Sequence, residues 1–324
     1  MKEKDDGMTE QNNIPSNDRD NEQERKRRAA PVVKILLGVL LAIVVIAIVV
    51  IALLIHRYHS MLDYQEISSE DGSLAPEPVE FDHILVVGLD KNDPEGGSRT
   101  DTMILVTVNP ETDEIILTSF LRDLYVEVPE NGKLRLGYAH AKGGMALLQK
   151  TLRENFDINV DRYVTIDFEA FRAIIDAVGG LELELTETDL KYVYPGEEKQ
   201  PGKYLLDGAH ALVYSYWIEN GDDEARTLRQ RTIMSLMFGK LQTLSAAELD
   251  AMLVETLPKI TTDLTEADCY SVLFGLAGLS DYPIRSQQFP FPDQWKREKV
   301  EDTYVITFDL EVNKQLFYDS LMGN

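Results

Sequence analysis

Two short stretches set arginine close to aspartate: "GSRTDTM", with Arg99 and Asp101, and "FLRDLY", with Arg122 and Asp123. Asp90 closes a third stretch, "ILVVGLD". A fourth group lies far down the chain in "DDEARTLRQR", with Asp223, Arg226, Arg229, Gln230 and Arg231. Carboxylates are ligands for a hard cation such as Mg²⁺, and guanidinium forks grip phosphate oxygens two at a time. Together these side chains suit a metal-assisted phosphate site, although Arg–Asp pairs are also common structural salt bridges. In the fourth group, basic residues crowd the start of an expected helix. The helix dipole disfavours them there unless an anion is near.

Other chemistries find less support. The chain has no Walker A loop, no Gly-x-Gly-x-x-Gly after a strand, no His-Glu-x-x-His and no Gly-x-Ser-x-Gly elbow. Beyond residue 80 the histidines are His83, His140 and His210, a poor basis for a Ser/His triad or a His-ligated zinc. Cys269 is the single cysteine, so no internal disulfide is available. Its setting, "DCYSVLFGL", reads as a buried structural thiol.

The elements that must position these residues can be read from the pattern. "HILVVGLD" (83–90) is a strand, and 102–109 and 114–121 form a hairpin around a Pro-Glu-Thr-Asp turn. Residues just before the first hairpin strand and just after the second then share one open end, where Asp90 could meet them. Ligands of open α/β sheets usually bind at such an edge. A helix at 143–156, the strand "RYVTID", the helix "FEAFRAIIDAV" stopped by Gly179 and Gly180, and the strand "LELEL" follow. Residues 186–206 read as a loop. Helical patterns cover 207–217, 224–243, 246–257 and 265–279, before two short strands and a helix at 309–322. In the helix at 224–243, Met234, Met237, Phe238 and Leu241 form an apolar stripe. Gln230 falls on it and Arg226 at its edge, and a cation so placed needs a partner. The predicted fold is α/β, α-β-α layered, with a central mixed sheet.

Ahead of that domain runs Ile35–Ile55, twenty-one residues without a charge. At ~1.5 Å per residue a helix of that length spans roughly 31 Å, a bilayer's hydrocarbon core. A cleaved signal peptide would have a shorter apolar region and a small-residue cleavage site. Arg25, Lys26, Arg27, Arg28 and Lys34 precede the run, so the N-terminus is expected in the cytoplasm and the rest outside. The expected division is a disordered cytoplasmic tail (1–33), a transmembrane helix (34–56), a stalk (57–80), a catalytic-type domain (81–243) and a helical C-terminal extension packing on it (244–324). The formal net charge is −24, and the excess of acid lies beyond residue 57, which argues against a nucleic-acid partner.

The outer domain resembles the LytR-CpsA-Psr family of cell-envelope proteins over residues 82–243. The resemblance rests on "ILVVGLD", "SRTDTMILVTVNP", "LRDLYVEVP", "AHAKGG", "DRYVTIDFEAFRAIIDAVGG", "LDGAHALVY" and "DDEARTLRQR", in that order. It implies a Gram-positive membrane protein that moves anionic glycopolymers, such as teichoic acid or capsule. The donor is a polyprenyl-pyrophosphate-type lipid carrier, the acceptor is peptidoglycan, and Mg²⁺ assists. Some members carry the older label of transcriptional attenuator. The resemblance places the family's metal residues at Asp90 and Asp101 and its pyrophosphate-gripping arginines at Arg99, Arg122, Arg226 and Arg229. Gln230 belongs to the same grip, and Asp123 falls on an Arg-Asp dipeptide of the family. Two features depart from the pattern. Tyr216 and Ile218 stand where the family usually has Arg-x-Arg, and Gly137 stands where it often has Asn, with Arg135 or Lys133 as candidate compensators. The departures keep two other readings open: a weakly active member that binds lipid-linked polymer as scaffold or sensor, and a polyprenyl-pyrophosphate pyrophosphatase.

Overall fold

The computed structural model describes residues 43, 45–67, 81–90, 99–109, 112–160, 162–219, 223–270 and 282–323. The side chains of Asp90 and Arg99 lie outside the described set, as do the tail 1–33, residues 35–42 and 44 of the run Ile35–Ile55, residues 68–80 of the stalk and the end of the expected helix 265–279. Residues 45–59 form a helix, α1. Among the described residues no helix is long and apolar enough to cross a membrane. The chain divides into two compact units, Met1–Ile55 and His56–Asn324.

The larger unit opens with β1 (Asp63–Tyr64), β2 (Asp82–Asp90), β3 (Arg99–Asn109), β4 (Glu114–Phe120), β5 (Tyr125–Val128) and β6 (Gly132–Arg135). Then come α2 (Gly137–Phe156), β7 (Arg162–Asp167), α3 (Phe168–Ala177), β8 (Leu181–Leu185), α4 (Glu187–Val193), β9 (Gly202–Leu206) and α5 (Gly208–Tyr216). It closes with α6 (Asp223–Leu241), α7 (Ala246–Thr256), β10 (Thr261–Thr262), β11 (Ile284–Phe289), β12 (Trp295–Val300), β13 (Thr303–Phe308) and α8 (Leu310–Leu321).

Seven strands form one mixed sheet in the order β1-β10-β7-β2-β3-β4-β11. Its central strands read as nearly unbroken apolar runs because both faces are covered. Leu85, Val87, Met103, Leu105 and Ile116 face one way, into a core shared with Leu148, Leu152 and Phe156 of α2 and Phe317 of α8. Their neighbours Ile104, Ile115 and Leu117 face the other way, against Met234 and Phe238 of α6. The period of two along each strand therefore sorts the helices into two layers around the sheet, the predicted α-β-α arrangement.

Three expectations need correction. The loop expected at 186–206 contains α4 and β9. A capping box starts α4, with Thr186 and Asp189 each bonding the other's backbone N–H; aspartate stands where glutamate is the usual signal. Among the described residues, the segment after 244 holds four strands, β10 to β13, where two were expected before its last helix, and β11 joins the central sheet parallel to β4. Its sequence, "IRSQQF", has too little apolar alternation to announce a strand at a sheet edge. The start of the stalk also belongs to the fold: β1 pairs with β10, and the Tyr58 hydroxyl donates to Asp250 at 2.7 Å.

Candidate functional site

The β3–β4 hairpin sets Leu105 opposite Thr118 and Ile104 opposite Ser119. Continuing that register brings Asp101 level with Arg122, and the side chains meet: Arg122 Nη1 donates to Asp101 Oδ1 at 2.6 Å. Strand β2 ends at the same edge, with the Asp90 backbone opposite Arg99. The open end of the hairpin therefore gathers the residues that spacing had put there.

Helix α6 reaches the same point. Arg122 Nε lies 3.7 Å from Asp223 Oδ1, and Arg226 Nη2 lies 2.8 Å from that same oxygen, off the axis of a hydrogen bond. Asp223 thus bridges two arginines that are remote in sequence. Its side chain is 6% exposed and that of Arg226 2%. Burial raises the Asp223 carboxyl above its ordinary range, against the pull of Arg226 and Arg122. Burial also lowers the Arg226 guanidinium, against Asp223. For Arg122 burial acts downward too, but Asp223 and Asp101 outweigh it, and the net shift is upward.

Two cavities meet at this cluster. One, about 520 Å³, lies between the sheet and helices α3, α5 and α6. Its wall is mostly apolar, with Val86, Ile104, Phe168, Phe171, Ile233 and Met237, while Asp101, Arg122, Arg226 and Gln230 sit on its charged side. Gly88 keeps it open: a Cβ there would stand 2.9 Å from that of Thr102. Arg226 Nε and Gln230 Oε1 are buried there without a hydrogen-bond partner. Each such orphan costs about 1–3 kcal/mol, so an occupant with polar oxygens has something to gain. The second cavity is polar, about 170 Å³, and is lined by Thr100, Asp101, Arg122, Asp123, Arg135, Gly137 and Tyr138. Among the described residues, only Asp101 and Arg122 line both.

The other expected residues sort clearly. Asp123 is in the polar cavity, held by Arg135 Nη1 at 3.2 Å. Arg229 lines neither cavity. It donates to the carbonyls of Tyr214 and Trp217 and lies 3.7 Å above the Trp217 ring. Its expected place in a phosphate grip is therefore corrected to an anchor of α5, since carbonyls left open at a helix C-terminus attract cations. Of the two candidate compensators, Arg135 reaches the site, whereas Lys133 lies 6.0 Å from the Tyr125 ring and outside both cavities. Gly137 fits tightly, its N–H bonded to the Arg122 carbonyl, and an added Cβ would come 3.0 Å from the Thr100 carbonyl oxygen and 3.2 Å from Arg122 Cβ. Tyr138 was missed from sequence, because nothing in "RLGYAH" marks it apart from an ordinary helix-start residue. Among the described residues no three metal-binding side chains cluster.

The profile of the LytR_cpsA_psr family matches residues 58–316, most of the chain. The chain belongs to that family. The Enterococcus faecalis polyisoprenyl-teichoic acid–peptidoglycan teichoic acid transferase TagU is 34% identical over 193 residues, which cover 57% of this chain and 62% of that one. The Staphylococcus aureus regulatory protein MsrR is 27% identical over 288 residues, 83% of this chain and 84% of its own. Among solved structures, the Bacillus subtilis family protein YwtF (TagT) with bound octaprenyl pyrophosphate lipid superposes with a TM-score of 0.61 at 22% identity. That match covers 80% of this chain and 98% of the other. At that identity the likeness establishes the fold, a mixed-sheet α/β architecture shared with the family.

Proposed function

We propose that this protein is a membrane-anchored phosphotransferase. It moves an anionic glycopolymer of teichoic-acid or capsule type from a polyprenyl-pyrophosphate carrier to peptidoglycan. One observation carries the reading: a large apolar cavity opens onto a mouth where Arg122 and Arg226 converge on one carboxylate. A prenyl chain matches the apolar wall, and a pyrophosphate matches the arginines. Both TagU and the lipid-bound TagT belong to the same family.

The chemistry follows from the charges. Arg122, Arg226 and Arg135 are each already answered by a carboxylate, namely Asp101, Asp223 and Asp123. An incoming pyrophosphate therefore adds uncompensated negative charge, which calls for a divalent cation. Asp101, a partly exposed oxygen donor, suits Mg²⁺, which commonly binds one or two carboxylates plus substrate phosphates. Asp90 is its expected partner at the same strand edge. When bound, the ion supplies charge neutralisation at the phosphate oxygens. Arg122 and Arg226 orient the pyrophosphate, and the apolar wall excludes water from the lipid side. The acceptor hydroxyl oxygen bonds to the phosphorus that bears the polymer. The bond from that phosphorus to the lipid phosphate breaks, and the lipid monophosphate leaves with the electron pair. The hydroxyl proton passes to a carboxylate at the mouth.

The test uses full-length protein in detergent with prenyl-pyrophosphate-linked polymer, Mg²⁺ and a peptidoglycan fragment. Polymer joined to the fragment through a phosphodiester supports the reading. Phosphate release with no joined product supports the pyrophosphatase instead. Binding without turnover supports a scaffold role, which Tyr216 and Ile218 favour because they put apolar surface on the cavity wall where two further cations are expected. The anchoring rests on the run Ile35–Ile55 and its basic N-terminal flank. Protease added to intact protoplasts should digest the C-terminal domain, and a protected C-terminus would reverse the topology.

A further inference from the structure

The two cavities divide at a single ion pair, Asp101–Arg122, and that division gives each a direction. Displacement at phosphorus runs roughly in line, with the attacking and leaving oxygens on opposite sides. On the proposed function the leaving lipid phosphate lies on the apolar side. The attacking hydroxyl must then come from the other side, where the polar cavity stands.

We propose that the polar cavity lined by Asp123, Arg135 and Tyr138 is the acceptor subsite and takes a neutral sugar ring of the peptidoglycan strand. The inference rests on the transferase reading and adds the place of its second substrate. Three features of the cavity support it. Its volume, about 170 Å³, is room for about six waters at ~30 Å³ each, the scale of one sugar ring. Its charge is balanced, Arg122 and Arg135 against Asp101 and Asp123, so it suits a neutral polyol better than a second phosphate. Its polar groups are ordered in a chain: Arg135 donates to Asp123 Oδ1 at 3.2 Å and to the Tyr138 hydroxyl at 2.5 Å. A carboxylate, a guanidinium and a phenol offer both acceptors and donors, which sugar hydroxyls require. The Arg135 guanidinium lies 4.7 Å from the centre of the Tyr138 ring, which holds that ring in place. An aromatic ring is also a fitting surface for the C–H face of a sugar.

Access agrees with this assignment. A peptidoglycan strand is a large polymer and must reach its subsite from outside, and the Arg135 and Asp101 side chains are 25% and 27% exposed. The Asp123 turn is braced from behind, where the Ile306 N–H donates to the Asp123 carbonyl at 2.8 Å. Asp123 is thus held on two sides, as a group that must meet an incoming hydroxyl should be.

The test is binding of a soluble β-1,4-linked amino-sugar tetrasaccharide to the full-length protein in detergent, by calorimetry, with bare prenyl pyrophosphate titrated in parallel. Tyr138→Ala and Arg135→Ala should each weaken tetrasaccharide binding at least tenfold. In Tyr138→Ala, bare prenyl pyrophosphate should bind within twofold of wild type, which also reports an intact fold. Tyr138→Phe, which keeps the ring, should lose less than Tyr138→Ala. Unchanged tetrasaccharide affinity in both alanine variants would overturn the assignment. So would a loss confined to a sugar-bearing prenyl pyrophosphate, titrated as a third ligand, since the cavity would then hold the donor's first sugar. The transferase reading fails separately, when wild type binds no prenyl pyrophosphate at all.

Discussion

Asp223→Asn removes the one charge that links Arg122 to Arg226 while keeping the side chain's shape. The Asp223 and Arg226 side chains are almost fully buried, whereas Arg122 is 29% exposed and keeps Asp101. Breaking a buried ion pair by removing one partner costs about 3–5 kcal/mol, because a buried charge is left unanswered. Here the stranded charge is chiefly Arg226, so the low end, about 3 kcal/mol, is the appropriate figure. A domain of this size class shifts its melting temperature by about 2–4 °C per kcal/mol, so the ligand-free variant should melt roughly 6–12 °C lower. The same variant leaves Arg226 without its carboxylate and Arg122 with Asp101 alone, so the pair is more open to an anion. Prenyl pyrophosphate should therefore raise its melting temperature by more than it raises that of wild type, since a ligand's stabilisation grows with the logarithm of its affinity for the folded state. Differential scanning calorimetry with and without ligand reads both effects. A ligand-free melting temperature within 2 °C of wild type would show that the bridge does not hold the folded state. A ligand-induced rise no larger than that of wild type would show that the two guanidiniums are not the anion's partners.

Arg122→Ala and Arg226→Ala should each weaken prenyl-pyrophosphate binding about ten- to a hundredfold. Their double mutant should depart from additivity by at least about 0.5 kcal/mol; strict additivity by calorimetry would separate the two arginines. Tyr216→Arg should tighten the same binding about tenfold, because a charge-assisted contact contributes about 1.5–3 kcal/mol less the cost of ordering the side chain. Tyr216 is half exposed on the cavity wall, so the arginine has room, and unchanged affinity would show that this position does not reach the phosphates. Burial pushes the His83 imidazole down to about 4. Its stabilising contribution is full above the unfolded value near 6.5 and should be lost as pH falls toward 4, about 3 kcal/mol in all. In His83→Gln that part of the acid sensitivity should disappear from urea denaturation curves, and an unchanged pH profile would refute it.

The charged edge was legible because a hairpin's register is arithmetic. Once two strands flank a short turn, residues equally far beyond their open ends must meet, so Asp101 and Arg122 could be paired before any coordinates. Helix α6 was legible for a related reason: a period of 3.6 put Gln230 on the apolar stripe and Arg226 beside it, and both turn out buried. Arg229 was misplaced because a side chain's own hydrogen-bond demand outranks its position in a motif. Three residues from Arg226, it had the open end of α5 within reach, and a helix that ends at Tyr216 leaves carbonyls that a guanidinium can answer. The polar cavity was hidden for a third reason. Thr100, Arg122, Arg135 and Tyr138 come from β3, the turn after β4, β6 and α2, which have no periodic relation and are brought together by the fit of Gly137 against Arg122. That close fit also gives the glycine a physical role. A larger residue at 137 would meet the Thr100 carbonyl oxygen at 3.0 Å and Arg122 Cβ at 3.2 Å, so α2 could not sit as close to the hairpin end that carries the site.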